Sequence, residues 1–226
     1  MIKKVSIVFS ESRKVDQVVE KVIEEIRLSG GNLYSFNSVK DLQKKAVLKK
    51  ISSADLILVI GGDGTMIGTI RALYNCNVPF LGINHGRVGF LTDINPENIS
   101  SLSDILKGRF IKEKRSIFNA GFSESNKDIF INEVVVHSGS ITKMADLELS
   151  SNSQIVYKLR ADGIIISSST GSTAYSYSGG GPIISPKVKA LSLLPMFSHS
   201  SSSHSLIVPD GNELIVKVKN NIENIN

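Results

Sequence analysis

Residues Gly61-Gly62-Asp63-Gly64-Thr65 place one carboxylate among three glycines, directly after the apolar run Leu56-Ile57-Leu58-Val59-Ile60. Glycines tolerate positive φ and let phosphate oxygens approach amide N–H groups. A helix starting there adds a dipole that favours anions. An Asp at that point repels phosphate unless it holds a metal or takes a proton. An isolated Asp-Gly is ordinarily a simple chain reversal, but the strand-loop-helix context makes this one a candidate site.

Two further blocks have polar chemistry. Arg160-Ala161-Asp162-Gly163 and the apolar Ile164-Ile165-Ile166 lead to Thr170-Gly171-Ser172-Thr173-Ala174-Tyr175-Ser176-Tyr177-Ser178-Gly179-Gly180-Gly181-Pro182. Such a density of hydroxyls and glycines suggests a polar groove: hydroxyls can bond ribose oxygens or phosphates, and small residues let a flat ring lie against the backbone. A flexible linker has similar composition, but Ala174, Tyr175 and Tyr177 interrupt it. Asn132-Glu133 breaks the apolar run Ile129–Val136, and a polar pair there costs stability unless partnered. A ligand or metal explains the pair, and so does an exposed strand end.

Several known motifs are excluded by counting. G-x-G-x-x-G fails because Ile67 stands where the third glycine belongs, and no G-x-x-x-x-G-K-[ST] occurs. No G-x-S-x-G elbow is present. His199 and His204 lack carboxylate or thiol companions at ligand spacing, so no metal ligand is assigned.

The elements that must position these residues alternate at first. Leu56–Ile60 is apolar on both faces, as in a central parallel strand. Thr65 is expected to cap a helix bearing Met66, Ile67, Ile70 and Leu73 at helical spacing. Val15, Val18, Val19, Val22, Ile23 and Ile26 form another helical stripe, ended by Ser29-Gly30-Gly31. With strands at Val5–Phe9 and Phe80–Ile83, residues 1–94 read as an α/β domain whose Gly61–Thr65 loop lies beyond a strand's carboxyl end. Asn95-Pro96-Glu97 starts a helix that Gly108 closes. Strands then follow at Ile129–Val136, Leu147–Leu149, Ile155–Leu159 and Gly163–Ser167, with a hairpin turn at Ser150–Ser153. Residues 95–226 therefore read as a mostly β domain, and Ser198–Ser205 as a mobile loop.

A chain of 226 residues with 41% hydrophobic content can bury a core as one large or two small domains. Cys76 is the single cysteine, which points to a reducing, cytoplasmic setting and away from a structural zinc site. The basic-then-apolar N-terminus is too short for a signal peptide, and no run is long enough to span a membrane. The net charge of +5 is spread over scattered lysines and aromatics are 6%, so a nucleic-acid partner is not expected, whereas nucleotides fit.

Together the blocks resemble the NAD kinase family. The resemblance rests on Gly61–Thr65, Gly86-Arg87-Val88-Gly89-Phe90-Leu91-Thr92-Asp93, Asn132-Glu133, and Arg160–Gly163 followed by Thr170–Tyr175, in the family's order. It implies an α/β N-terminal domain, a β-rich C-terminal domain, a dinucleotide in the cleft between them, and a homo-oligomer. It also implies that NAD is converted to NADP with ATP as donor and Mg²⁺ or another divalent cation. Asp63 resembles the general base. Gly64 and Phe90 would border the adenosine half of NAD, and Asn132 with Glu133 would hold ribose hydroxyls. Asp162, Thr173, Ala174, Tyr175, Ser176, Tyr177 and Ser178 would be further dinucleotide contacts, with Lys143 and Arg160 near phosphate.

This sequence departs from the family's pattern in three ways. Ser169 replaces a usual proline, which should loosen its turn; Ser198–Ser205 replaces a more apolar segment; and the chain stops soon after Lys219, where family members continue. Lipid kinases of the diacylglycerol kinase type share a similar glycine loop, but would need an apolar acceptor or membrane surface. A non-catalytic dinucleotide sensor is the reading outside enzymes.

Overall fold

The computed structural model describes residues 2–11, 16–85, 89–123, 126–139, 144–199 and 204–219. They form two compact units, Met1–Glu113 and Lys114–Asn226. Among the described residues no helix is long and apolar enough to cross a membrane.

In the first unit, β1 (Lys4–Phe9), α1 (Asp16–Leu28), β2 (Asn32–Ser38), α2 (Lys45–Ile51), β3 (Leu56–Gly61), α3 (Asp63–Leu73) and β4 (Phe80–Asn84) follow one another. The strands make a parallel sheet in the order β2-β1-β3-β4. Every residue of β3 is buried, because side chains alternate across the sheet and both faces are covered. Leu56, Leu58 and Ile60 pack with Val18, Val19, Val22 and Ile26 of α1. Ile57 and Val59 pack on the other side with Met66 and Leu73 of α3 and Ile51 of α2.

Two expectations are corrected here. The helix after β3 begins at Asp63 with Gly62 as its cap, so Thr65 lies inside the first turn instead of capping it. A Cβ at Gly61 would stand 2.5 Å from the Thr65 hydroxyl, so glycine lets that first turn fold tightly onto the strand end. The segment after Ile94 runs as a 3-10 turn, Pro96–Ser101, into α4 (Leu102–Leu106). Its Ile99, Leu102 and Leu106 join the same core as α1 and β1, which is why the first compact unit extends past residue 94 to Glu113. Gly108, at φ 93°, closes the helix as expected.

The second unit carries β5 (Phe118–Ser123), β6 (Asn126–Phe130), β7 (Glu133–His137), β8 (Ala145–Ser151), β9 (Gln154–Ala161), β10 (Gly163–Ser168), the helical turn α5 (Tyr175–Ser178), β11 (Ala190–Met196), β12 (Leu206–Pro209) and β13 (Leu214–Val218). An antiparallel sheet runs β12-β11-β10-β7, another β13-β8-β9, and β5 pairs with β6. Ile164, Ile166, Leu191 and Leu193 of the first meet Leu147, Leu149 and Leu159 of the second in one core. The run Ile129–Val136, expected as one strand, is two: β6 pairs with β5 and β7 with β10, so the backbone bends at Ile131-Asn132 to change partners. The hairpin turn expected at Ser150–Ser153 joins β8 to β9, with Asn152 and Ser153 both at positive φ. Val15, Lys143 and residues 200–203 of the serine-rich stretch lie outside the described residues.

Candidate functional site

Asp63 stands at the first turn of α3, beyond the carboxyl end of β3. Its carboxylate is oriented by the loop that follows β4: Phe90 N–H donates to Oδ2 at 2.9 Å and Leu91 N–H to Oδ1 at 3.0 Å. That loop can come so close because of two glycines. A Cβ at Gly89 would lie 2.1 Å from Asp63 Oδ1, and one at Gly82 would lie 2.7 Å from Thr92 Cα. Asp93 and Ile94 N–H groups both donate to the Gly82 carbonyl, which pins the loop to β4. Gly64 is exposed beside the carboxylate, and Phe90 presents its ring with 68% of its surface exposed. The resulting group combines a fixed, partly exposed carboxylate with an open glycine turn and a free aromatic face.

The second unit gathers the other candidates. Glu133 begins β7, opposite Ser167 of β10, which in turn lies opposite Ser192 of β11. Directly opposed residues share a face, so a polar row crosses this sheet on the face away from its apolar core. Glu133 accepts the Tyr175 N–H, and burial pushes its carboxyl above the ordinary value, the Tyr175 bond opposing that shift only in part. Its Oε2 and the Ser176 and Ser192 hydroxyls are buried without hydrogen-bond partners. Asn132 contributes its carbonyl, which accepts the Ser168 N–H at 2.8 Å. A Cβ at Gly171 would lie 2.1 Å from that carbonyl oxygen, so the Thr170–Thr173 turn needs glycine to pack against Asn132.

Serines build the turn that holds Thr173 to Ser178. The Ser168 hydroxyl donates to the Ile131 carbonyl and accepts the Gly171 N–H. Ser172 Oγ donates to the Ser169 carbonyl at 2.8 Å and accepts the Ile184 N–H at 3.0 Å. In the folded turn the buried Ser169 hydroxyl bonds the Val188 and Ala190 carbonyls and ties the turn to the start of β11. Tyr175 and Tyr177 remain exposed, as does Ser178.

The structure thus brings Asp63, Gly64 and Phe90 together in the first unit, and Asn132, Glu133, Thr173, Ala174, Tyr175 and Ser176 together in the second. Asp162 lies at the β9–β10 junction, where its N–H donates to the Met196 carbonyl. Arg160 is not gathered in with them: it opposes Asp146 across β8, with Nε 4.0 Å from Oδ1. The sequence reading quoted Gly89, Leu91 and Thr92 without assigning them roles, and missed the supporting part of Gly171. A glycine three residues before a threonine is an unremarkable signal until the fold shows what its missing Cβ would strike. Among the described residues no group of three or more His, Cys, Asp or Glu side chains could hold a metal ion.

Residues 6–110 match the ATP-NAD kinase N-terminal domain, and residues 131–226 the ATP-NAD kinase C-terminal domain. The chain is 40% identical over 192 residues to an NAD kinase of Pseudoalteromonas translucida, covering 81% of this chain and 65% of that one. It is 43% identical over 166 residues to an NAD kinase of Hahella chejuensis, covering 71% and 56%. The chain therefore spans about 56–65% of the length of these curated relatives. A crystal structure of an NAD kinase from Archaeoglobus fulgidus in complex with ATP superposes with TM-score 0.79 at 26% identity, covering 96% of this chain and 81% of that one. Yeast NADH kinase complexed with NADH shares the fold, with TM-score 0.81 at 20% identity over 97% of this chain and 69% of the other.

Proposed function

We propose that this chain, which belongs to the NAD kinase family, transfers the γ-phosphoryl group of ATP to the 2′-hydroxyl of the adenosine ribose of NAD, giving NADP and ADP. The observation that carries this reading is the Asp63 carboxylate, fixed by the Phe90 and Leu91 N–H groups at the head of α3. Each carboxylate oxygen has a second lone pair, so Asp63 can still accept the 2′-hydroxyl proton as a general base. The deprotonating oxygen attacks the γ-phosphorus and the bond to the bridging oxygen of ADP breaks. Phosphoryl transfer asks mainly for alignment and charge neutralisation, and a carboxylate held by two main-chain donors supplies the alignment.

Gly64 and Phe90 would border the adenosine, Asn132 and Glu133 the ribose hydroxyls, and Asp162 with Thr173–Ser178 the rest of the dinucleotide. Arg160 and Lys143 are assigned toward phosphate by resemblance alone. Among the described residues no His, Cys, Asp or Glu cluster forms a resident metal centre; a divalent cation would arrive with ATP, held chiefly by phosphate oxygens and water. A homo-oligomer in a reducing cytoplasm completes the reading, the latter supported by the single cysteine. The matched relatives are NAD kinases, which favours a nucleotide over a lipid acceptor.

The test is NADP formation from NAD, ATP and Mg²⁺, detected with an NADP-specific dehydrogenase, alongside Asp63→Asn. The parent chain is expected to form NADP and the variant to lose about 10²- to 10⁴-fold. NAD binding without NADP would make the chain a dinucleotide sensor, and an active Asp63→Asn would remove the general-base role.

A further inference from the structure

The space left by Gly89 separates two oxygens. A Cβ there would stand 2.1 Å from Asp63 Oδ1 and 2.9 Å from Thr92 Oγ1, so the two oxygens lie no farther apart than those distances combined. Thr92 Oγ1 is buried and has no hydrogen-bond partner. A buried hydroxyl without a partner is costly, and valine would fill the same space without that cost. Thr92 is also immobilised from behind, since a Cβ at Gly82 would lie 2.7 Å from its Cα and 2.9 Å from the Leu91 carbonyl. Asp63 Oδ1 already accepts the Leu91 N–H at 3.0 Å, and a carboxylate oxygen can accept a second donor.

We propose that Thr92 is a positioning residue for Asp63, its hydroxyl turning about χ1 to donate to Oδ1 across the gap beside Gly89, or reaching it through one water. The inference rests on the general-base reading of Asp63. With Leu91 N–H and Thr92 O–H both on Oδ1, that oxygen is anchored twice, and Oδ2, which accepts only the Phe90 N–H, is the one better placed to receive the substrate proton. Proton acceptance then falls to one defined atom instead of being shared by two. Thr92 touches neither nucleotide in this arrangement and acts only through the carboxylate.

Two measurements test this. In steady-state NADP formation, Thr92→Val should lower kcat about 10-fold or more, as loss of a hydrogen bond to a charged group does. KM for NAD and ATP should stay unchanged, and Thr92→Ser, which keeps the hydroxyl, should recover most of the rate. In thermal unfolding, the loss of Tm caused by Thr92→Val should disappear when Asp63 is already Ala, because the partner oxygen is gone. An unchanged kcat in Thr92→Val, or Tm shifts that simply add, would overturn the proposal. If the parent chain forms no NADP the kinase reading fails, while the unfolding cycle still decides whether Thr92 and Asp63 are bonded.

Discussion

Asp63 and Glu133 each stand at the end of a strand, Asp63 just past β3 and Glu133 as the first residue of β7. The parallel sheet of the first unit ends in loops whose N–H groups are not used by a ladder. Two of them, at Phe90 and Leu91, close on the Asp63 carboxylate. The second unit is antiparallel, and Glu133 sits inside a paired row with Ser167 and Ser192. Its carboxyl receives one main-chain donor, from Tyr175, and burial raises its affinity for a proton. One carboxylate is thus held by two donors, the other half-buried with one buried oxygen still wanting a partner. A fixed, partly exposed carboxylate suits proton acceptance from a substrate, whereas one with a buried oxygen still unpartnered suits recognition of a donor that arrives with the ligand.

The same chemical change at the two positions should give the widest separation. Asp63→Asn is expected to lower NADP formation about 10²- to 10⁴-fold, while Glu133→Gln, which retains an acceptor oxygen, should act mainly on KM for NAD. Equal losses of kcat would erase the distinction.

Glycine replacements sharpen it next. At Gly89 an added Cβ strikes the Asp63 side chain, and at Gly171 it strikes the Asn132 main-chain carbonyl, each at 2.1 Å. A side-chain carboxylate can swing aside and a backbone cannot. Gly89→Ala should therefore keep most of its stability and lose about 10²-fold in turnover through misplacement of the carboxylate. Gly171→Ala should lose about 1–3 kcal/mol of stability, as overpacked sites do, read by urea unfolding.

Smaller effects follow from the serine-built turn. Ser169→Ala removes the hydroxyl that bonds the Val188 and Ala190 carbonyls and should cost about 1 kcal/mol. Least in size is a pH dependence. Because burial raises the Glu133 carboxyl above its ordinary value in the folded chain, its contribution is full below the unfolded pKa and is lost as pH rises through the folded one. Glu133→Gln should abolish that loss, so its Tm should gain on the parent's as pH is raised above about 4.5. A Tm difference independent of pH would show that Glu133 is not buried as described.

Much of this was legible in the residues. The doubly buried β3, the glycine loop after it and the α1 stripe followed from apolar pattern and turn chemistry alone. The polar β2, Asn32–Ser38, escaped because its burial is partial and its pattern lacks a clear apolar face. The break at Ile131-Asn132 escaped because local propensity favours one strand through both segments, and only the choice of two different partners divides them. Likewise, the sequence does not reveal the Val188 and Ala190 carbonyls within reach of the Ser169 hydroxyl. The Asp63 carboxylate was identified by type and spacing, but its donors Phe90 and Leu91 lie 27 and 28 residues away, a distance that only the closure of β4 beside β3 bridges.

The hairpin between β8 and β9 holds Asn152 at φ 47° and Ser153 at φ 65°. Turns of this hand favour Asn followed by Gly, and a left-handed conformation at a residue with a Cβ costs about 1–2 kcal/mol. Ser153→Gly would recover about that much, comparable to what a typical random substitution takes away. The second unit's tolerance of sequence drift is therefore set partly by a turn that carries none of the candidate site residues.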